Sequence, residues 1–175
     1  MTYKIAFFGA KPYDIASFDK VNEKYNYDIR YYKGHLNPNN VVLTQDTDAV
    51  CIFVNDTADV AVIDAMVNNG VKLLALRCAG FNNVDLKAAK GKYIARMDGD
   101  DICLPERFAA EYETLETEKT ISIVSTDMGY FDQTGIWGKI SHPEYPKKKD
   151  FLYGSPFCHA PCMVRKEAYD AVAGY

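Results

Sequence analysis

The 175-residue sequence carries a net charge of −4, with 48% apolar and 25% charged residues. That balance excludes a disordered chain and gives no general attraction to nucleic acid or to an anionic lipid surface. The length suits one domain, or one and part of a second, with a core of useful size. The charge is lopsided. Residues 1–91 balance at ten basic and ten acidic groups, whereas residues 92–175 hold fourteen acidic against ten basic. Cysteines stand at 51, 78, 103, 158 and 162. Their odd number, and the apolar runs around Cys51 and Cys78, read as buried free thiols rather than a disulfide framework. Cys158, His159 and Cys162 form a C-H-x-x-C that lacks the second ligand pair of a zinc site. There is no secretory apolar core and no run long enough to span a bilayer, so the expectation is a cytoplasmic protein without a transmembrane segment.

In chain order, "YKIAFFGA" reads as an apolar strand ending at Gly9, and "DIASFDKVNEKY" as a helix with Ile15, Phe18 and Val21 on one face. "YDIRYYKG" is a strand, "HLNPNN" a polar turn and "DAVCIFVN" a second core strand. "TADVAVIDAMVNNG" is a helix closed by Asn69-Gly70, and "VKLLALRCAG" a further near-continuous apolar strand. Strands of that kind with helices between them predict a parallel sheet with right-handed crossovers. In such a sheet, ligands sit beyond the carboxyl ends of the strands. Those ends are "GAKPYD", "VNDT" and "RCAGFNNVDL", and backbone N–H groups around Ala79-Gly80 suit a small carboxylate. The bland alternative for the last is a tight loop whose Asx turn starts a helix over Val84–Ala89.

"KIAFFGAKPYD", "DAVCIFVNDT" and "VKLLALRCAGFNNVDLKAA" resemble the amino-terminal part of the fermentative D-lactate dehydrogenases, within the D-isomer-specific 2-hydroxyacid dehydrogenases, over residues 3–89. The resemblance implies a substrate-binding role, in which the loop Cys78, Ala79 and Gly80 meets the substrate carboxylate and Tyr13 lies near the same cleft. No G-x-G-x-x-G occurs in the sequence, so NAD is not expected to bind this chain. The family's catalytic arginine, glutamate and histidine lie in segments beyond this one.

"GKYIARM" is a short strand, with Asp98, Asp100 and Asp101 at its carboxyl end. Carboxylates spaced this way converge on a hard cation and support a leaving diphosphate. The alternative is an aspartate-rich turn in which Asp101 caps the helix of "CLPERFAAEYETLE". "AKGKYIARMDGDDICLPERF" and "FCHAPCMVRKEAYDAVAGY" resemble family 2 glycosyltransferases of the GT-A fold over residues 88–175. That resemblance implies a D-x-D motif in which Asp98 and Asp100 hold Mg2+ or Mn2+. Asp98, Asp100, Asp101 and His159 would then form a nucleotide-sugar diphosphate site. Further on, "ISIVSTDMGYFD" reads as a strand and turn, "TGIWGKI" as a surface strand and "SHPEYPKKKDF" as a solvated loop.

The two resemblances overlap at Ala88–Gly91, the mark of a chimera or fusion of two fragments. The expected fold is an α/β three-layer sandwich with a mostly parallel central sheet, Rossmann-like or GT-A-like. Its segments, 1–90 and 91–175, would share one sheet through a helix ending near Gly91, with Leu86 or Val84 in a common core. The leading functional expectation is an incomplete glycosyltransferase that binds a nucleotide-sugar or nucleoside diphosphate with metal. The alternatives are a D-lactate dehydrogenase substrate-domain fragment and a non-catalytic α/β scaffold.

Overall fold

The computed structural model describes residues 2–78, 82–89, 91–98, 101–104 and 106–172. The chain divides into two compact units, Met1–Gly91 and Lys92–Tyr175. In the first, β1 (Lys4–Phe7), β2 (Asp28–Tyr31), β3 (Ala49–Ile52) and β4 (Leu73–Leu76) form a four-stranded parallel sheet in the order β2-β1-β3-β4. Register pairs Phe7 with both Tyr31 and Cys51, and Ile52 with Leu76.

Alternation along the strands decides what lies on each face. Ala6, Phe8, Val50 and Ile52 point one way and bury Val62, Ile63 and Met66 of α2 (Val60–Asn68). Phe7 and Cys51 point the other way and pack with Ile5, Ile29 and Ile15 of α1 (Pro12–Asn22). The two helices therefore cover opposite faces, and the α/β layering with a parallel central sheet holds for this unit. α2 starts where Asp59 accepts from the Val62 amide at 2.9 Å and stops before Gly70, at φ +86. α1 starts with Pro12 at its first position, and the Asp14 carboxylate accepts the Lys11 amide at 2.9 Å.

The helix expected over Val84–Ala89 is a single turn instead. Asp85 accepts through Oδ1 from Lys87 N at 2.9 Å and from Ala88 N at 3.0 Å. A side chain that satisfies those amides locally removes the need for a continuing helix. Val84 is buried and Leu86 half-buried against the first unit's core. A parallel bridge from Ala58 to Val84 fixes the segment, with Ala58 N donating to Asn83 O and Asp85 N to Ala58 O, both at 2.9 Å.

In the second unit β5 (Tyr93–Ala95), β9 (Cys162–Arg165) and β6 (Ile123–Ser125) form a sheet in the order β5-β9-β6, with β9 antiparallel to both neighbours. β7 (Met128–Asp132) and β8 (Gly135–Ile140) form a separate hairpin. Among the described residues, strands before and after Gly91 belong to different hydrogen-bonded sheets, so the single shared sheet gives way. α3 (Arg107–Thr117) starts after Glu106, and Asp101 lies too far upstream to cap it. Its far end is closed by Arg165, only 7% exposed, which donates to the carbonyls of Ile121, at 2.8 Å, Leu115 and Glu118. α4 (Lys166–Ala171) follows β9 directly. Among the described residues, no helix is long and apolar enough to cross a membrane.

Candidate functional site

The carboxyl ends of β1, β3 and β4 meet around Arg77. Its Nη2 donates to the carbonyls of Phe8 at 2.7 Å and Gly9 at 3.2 Å, and its Nη1 lies 3.5 Å from Asp14 Oδ2. The guanidinium lies 4.6 Å from the centroid of the Phe7 ring and 4.8 Å from that of Phe53. Both charged side chains are largely buried, Arg77 at 16% and Asp14 at 11% exposure. Arg77 thus clamps the β1–α1 turn, which carries Tyr13, to the strand end that leads into Cys78. Tyr13 is 72% exposed on the first turn of α1.

Cys78 is half-buried, and burial pushes its thiol up against the opposing pull of Arg77. A thiol held up in this way is neutral at physiological pH and does not repel an anion. Ala79 and Gly80 lie outside the described residues. Asn83 joins the same edge by donating to the carbonyls of Phe53 at 2.9 Å and Asp56 at 3.0 Å.

A second pair completes the edge. Asp56 is buried and accepts the Leu36 amide on Oδ1 at 2.6 Å and the Phe53 amide on Oδ2. The His35 ring stands with Nδ1 3.5 Å from the same Oδ1 and is 43% exposed. Neither His35, read as part of a polar turn, nor Asp14, read as the end of the loop, drew notice in the sequence. The signal available was position alone: both follow strands whose ends face the ligand edge of a parallel sheet.

The aspartate cluster is built differently. Asp98 Oδ1 lies 3.8 Å from Arg96, and Arg96 Nη1 meets His159 Nε2 at 2.5 Å. The Asp101 amide donates to the Asp98 carbonyl at 3.2 Å. Asp98 and His159 are therefore joined through a guanidinium, which supplies the countercharge that a cation would otherwise bring. Asp100 lies outside the described residues. Among the described residues, no three His, Cys, Asp or Glu side chains are grouped to hold a metal ion.

Nearby, Glu111 is 1% exposed and pairs with Arg107 Nε at 3.0 Å, while its Oε2 is buried without a hydrogen bond among the described residues. Burial raises its pKa, more strongly than Arg107 lowers it. Glu116 shows the opposite case. Hydrogen bonds from Lys92, Tyr93 and Lys119 bring its pKa down to about 2.

Residues 5–101 match the family model described as D-isomer specific 2-hydroxyacid dehydrogenase, catalytic domain. A 2-hydroxyacid dehydrogenase homolog of Schizosaccharomyces pombe is 52% identical over 86 residues, covering 49% of this chain and 26% of that protein. The apo-structure of D-lactate dehydrogenase from Escherichia coli aligns with TM-score 0.52 and 36% identity, covering 65% of this chain and 36% of that one. EpsE of Bacillus subtilis, named as a glycosyltransferase, is 38% identical over 99 residues, covering 57% of this chain and 36% of that protein. This chain spans about a quarter of the length of the first dehydrogenase relatives it matches, 26% in each case.

These findings overturn the leading functional expectation. The family match and the S. pombe and E. coli relatives are dehydrogenases, so a metal-dependent glycosyltransferase reading, with its nucleotide-sugar ligand, does not stand. The cofactor expectations are corrected with it. Mg2+ or Mn2+ at Asp98 and Asp100 gives way, and so does the view of NAD as foreign to this chain, because a dehydrogenase draws its chemistry from a redox cofactor.

Proposed function

Because the chain belongs to the D-isomer specific 2-hydroxyacid dehydrogenase family, we propose that its first unit is the substrate side of such an enzyme. It recognises the carboxylate of a small 2-hydroxy or 2-oxo acid at the carboxyl edge of the parallel sheet. The reading assigns carboxylate recognition to the loop of Cys78, Ala79 and Gly80, with Tyr13 beside it. The observation that carries it is the Arg77 clamp, which ties the Tyr13 turn to the strand end entering that loop. Successive backbone N–H groups in a tight loop make an anion-binding concavity. Arg77 directs Nη1 at Asp14 and Nη2 at two carbonyls, and its Nε is buried, so it holds the loop rather than binding the acid. The neutral Cys78 thiol leaves the anion unopposed.

Interconversion of a 2-oxo and a 2-hydroxy acid moves a hydride and a proton, and a nicotinamide dinucleotide supplies or accepts the hydride. The work of the first unit's described residues is to bind and orient the acid.

Titration calorimetry with oxamate, a non-reacting analogue of a 2-oxo acid, tests the proposal. The chain is expected to bind oxamate, and Gly80→Glu, which adds a like charge to the loop, to weaken binding at least about tenfold. No binding by the unaltered chain, or equal affinity in the variant, refutes it.

A further inference from the structure

We propose that His35 is a further substrate-contacting residue of this site, donating a hydrogen bond to the bound carboxylic acid from a ring that Asp56 holds in place; the inference rests on the reading of the edge as a carboxylate site. The first support is convergence. A Cβ built on Gly9 would lie 3.1 Å from His35 Nδ1 and 3.4 Å from Arg77 Nη2. The imidazole and the guanidinium therefore flank one backbone position at the end of β1. Gly9 also has φ +63, a conformation that disfavours any side chain that would crowd the ring out.

The second support is how firmly His35 is held. The Gly9 amide donates to Gly34 O at 3.0 Å, the Leu36 amide to Asp56 at 2.6 Å, and Thr57 N to Leu36 O at 2.8 Å. The chain is thus tied on both sides of residue 35, and Leu36 beside it is fully buried. Packing alone does not require an imidazole at a position 43% exposed.

The third support is division of labour. Asp56 is buried, each of its oxygens accepts one backbone amide, and His35 Nδ1 stands 3.5 Å from Oδ1. A carboxylate on one ring nitrogen fixes the ring's orientation and leaves the other nitrogen to a ligand, as in metal sites and catalytic dyads. Here no metal cluster accompanies it among the described residues, and the neighbouring groups belong to the proposed carboxylate edge. Asp56 is a positioning residue and His35 the contact. Arg77, by comparison, turns Nη2 to Phe8 and Gly9 and Nη1 to Asp14.

The test uses the full chain and oxamate. His35→Gln retains a hydrogen-bonding side chain of similar reach but not the ring that stands beside Asp56, and it is expected to lower affinity about tenfold. In parallel, the ring nitrogens of the three histidines are followed by 15N-detected NMR, the His35 pair being assigned from the variant. Those signals are expected to shift with oxamate along the calorimetric binding curve, a response that a merely structural histidine would not give. Unchanged affinity in His35→Gln with unmoved ring signals overturns the inference while leaving the carboxylate site standing. Absence of oxamate binding to the unaltered chain overturns both.

Discussion

Replacing Arg77 with methionine isolates the clamp that the carboxylate-site proposal depends on. Methionine keeps much of the aliphatic contact with Phe7 and Phe53, where the guanidinium now lies 4.6 and 4.8 Å from the ring centroids. What is lost is the ion pair with Asp14, between side chains only 16% and 11% exposed, and the donation to Phe8 and Gly9. Removing one partner from a largely buried pair typically costs about 3–5 kcal/mol, most of it the uncompensated charge left behind. Asp14 keeps one donor, the Lys11 amide at 2.9 Å, so about 3 kcal/mol is expected. Arg77→Met/Asp14→Asn, which leaves no charge stranded, should recover about half of that loss. Urea unfolding followed by far-ultraviolet circular dichroism is the assay, and Arg77→Met is expected to lower the midpoint of the transition in which the four-stranded parallel sheet is lost. A loss below about 1 kcal/mol, or a double variant as unstable as the two single losses summed, would refute a clamp made by charge and hydrogen bonding.

Two further predictions concern titratable groups. Burial raises the Glu111 pKa above its ordinary value near 4.5, so the folded second unit binds that proton more tightly than the unfolded chain does. The stability contributed by protonation is complete below the ordinary value and is lost as pH rises through the raised one. The protection factors of β9 amides, from which the intrinsic base catalysis of exchange is removed, should therefore fall from pH 4.5 toward neutrality, and Glu111→Gln should flatten that fall; an identical profile in the variant would exclude Glu111 as its source. Burial also pushes the Cys51 thiol up to about 11. At pH 8 Cys51 should resist alkylation by iodoacetamide until the parallel sheet unfolds, and mass-spectrometric labelling at native rates would show that the thiol is more accessible than its place in the sheet allows.

The sequence by itself carried the α/β class, the order of elements through residue 76 and the relationship to the dehydrogenases. These are local properties: apolar runs, helix spacing, the Asn69-Gly70 stop and the "LRCAGFNNVDL" stretch each need only neighbouring residues. It failed where local chemistry had two outcomes. An Asx turn at this loop can start a helix over Val84–Ala89, but the Asp85 carboxylate takes the Lys87 and Ala88 amides and leaves one turn. The Asp98 region has the spacing of a cation site, but Arg96 stands beside Asp98 and His159 with the charge already supplied. Tertiary structure alone decided the edge of the first unit. Arg77 reaches Asp14 across 63 positions, and His35 reaches Asp56 from another loop. No periodicity records such pairs, because a parallel sheet aligns the carboxyl ends of strands that are remote in the chain. Charges become partners there only after those strands have packed.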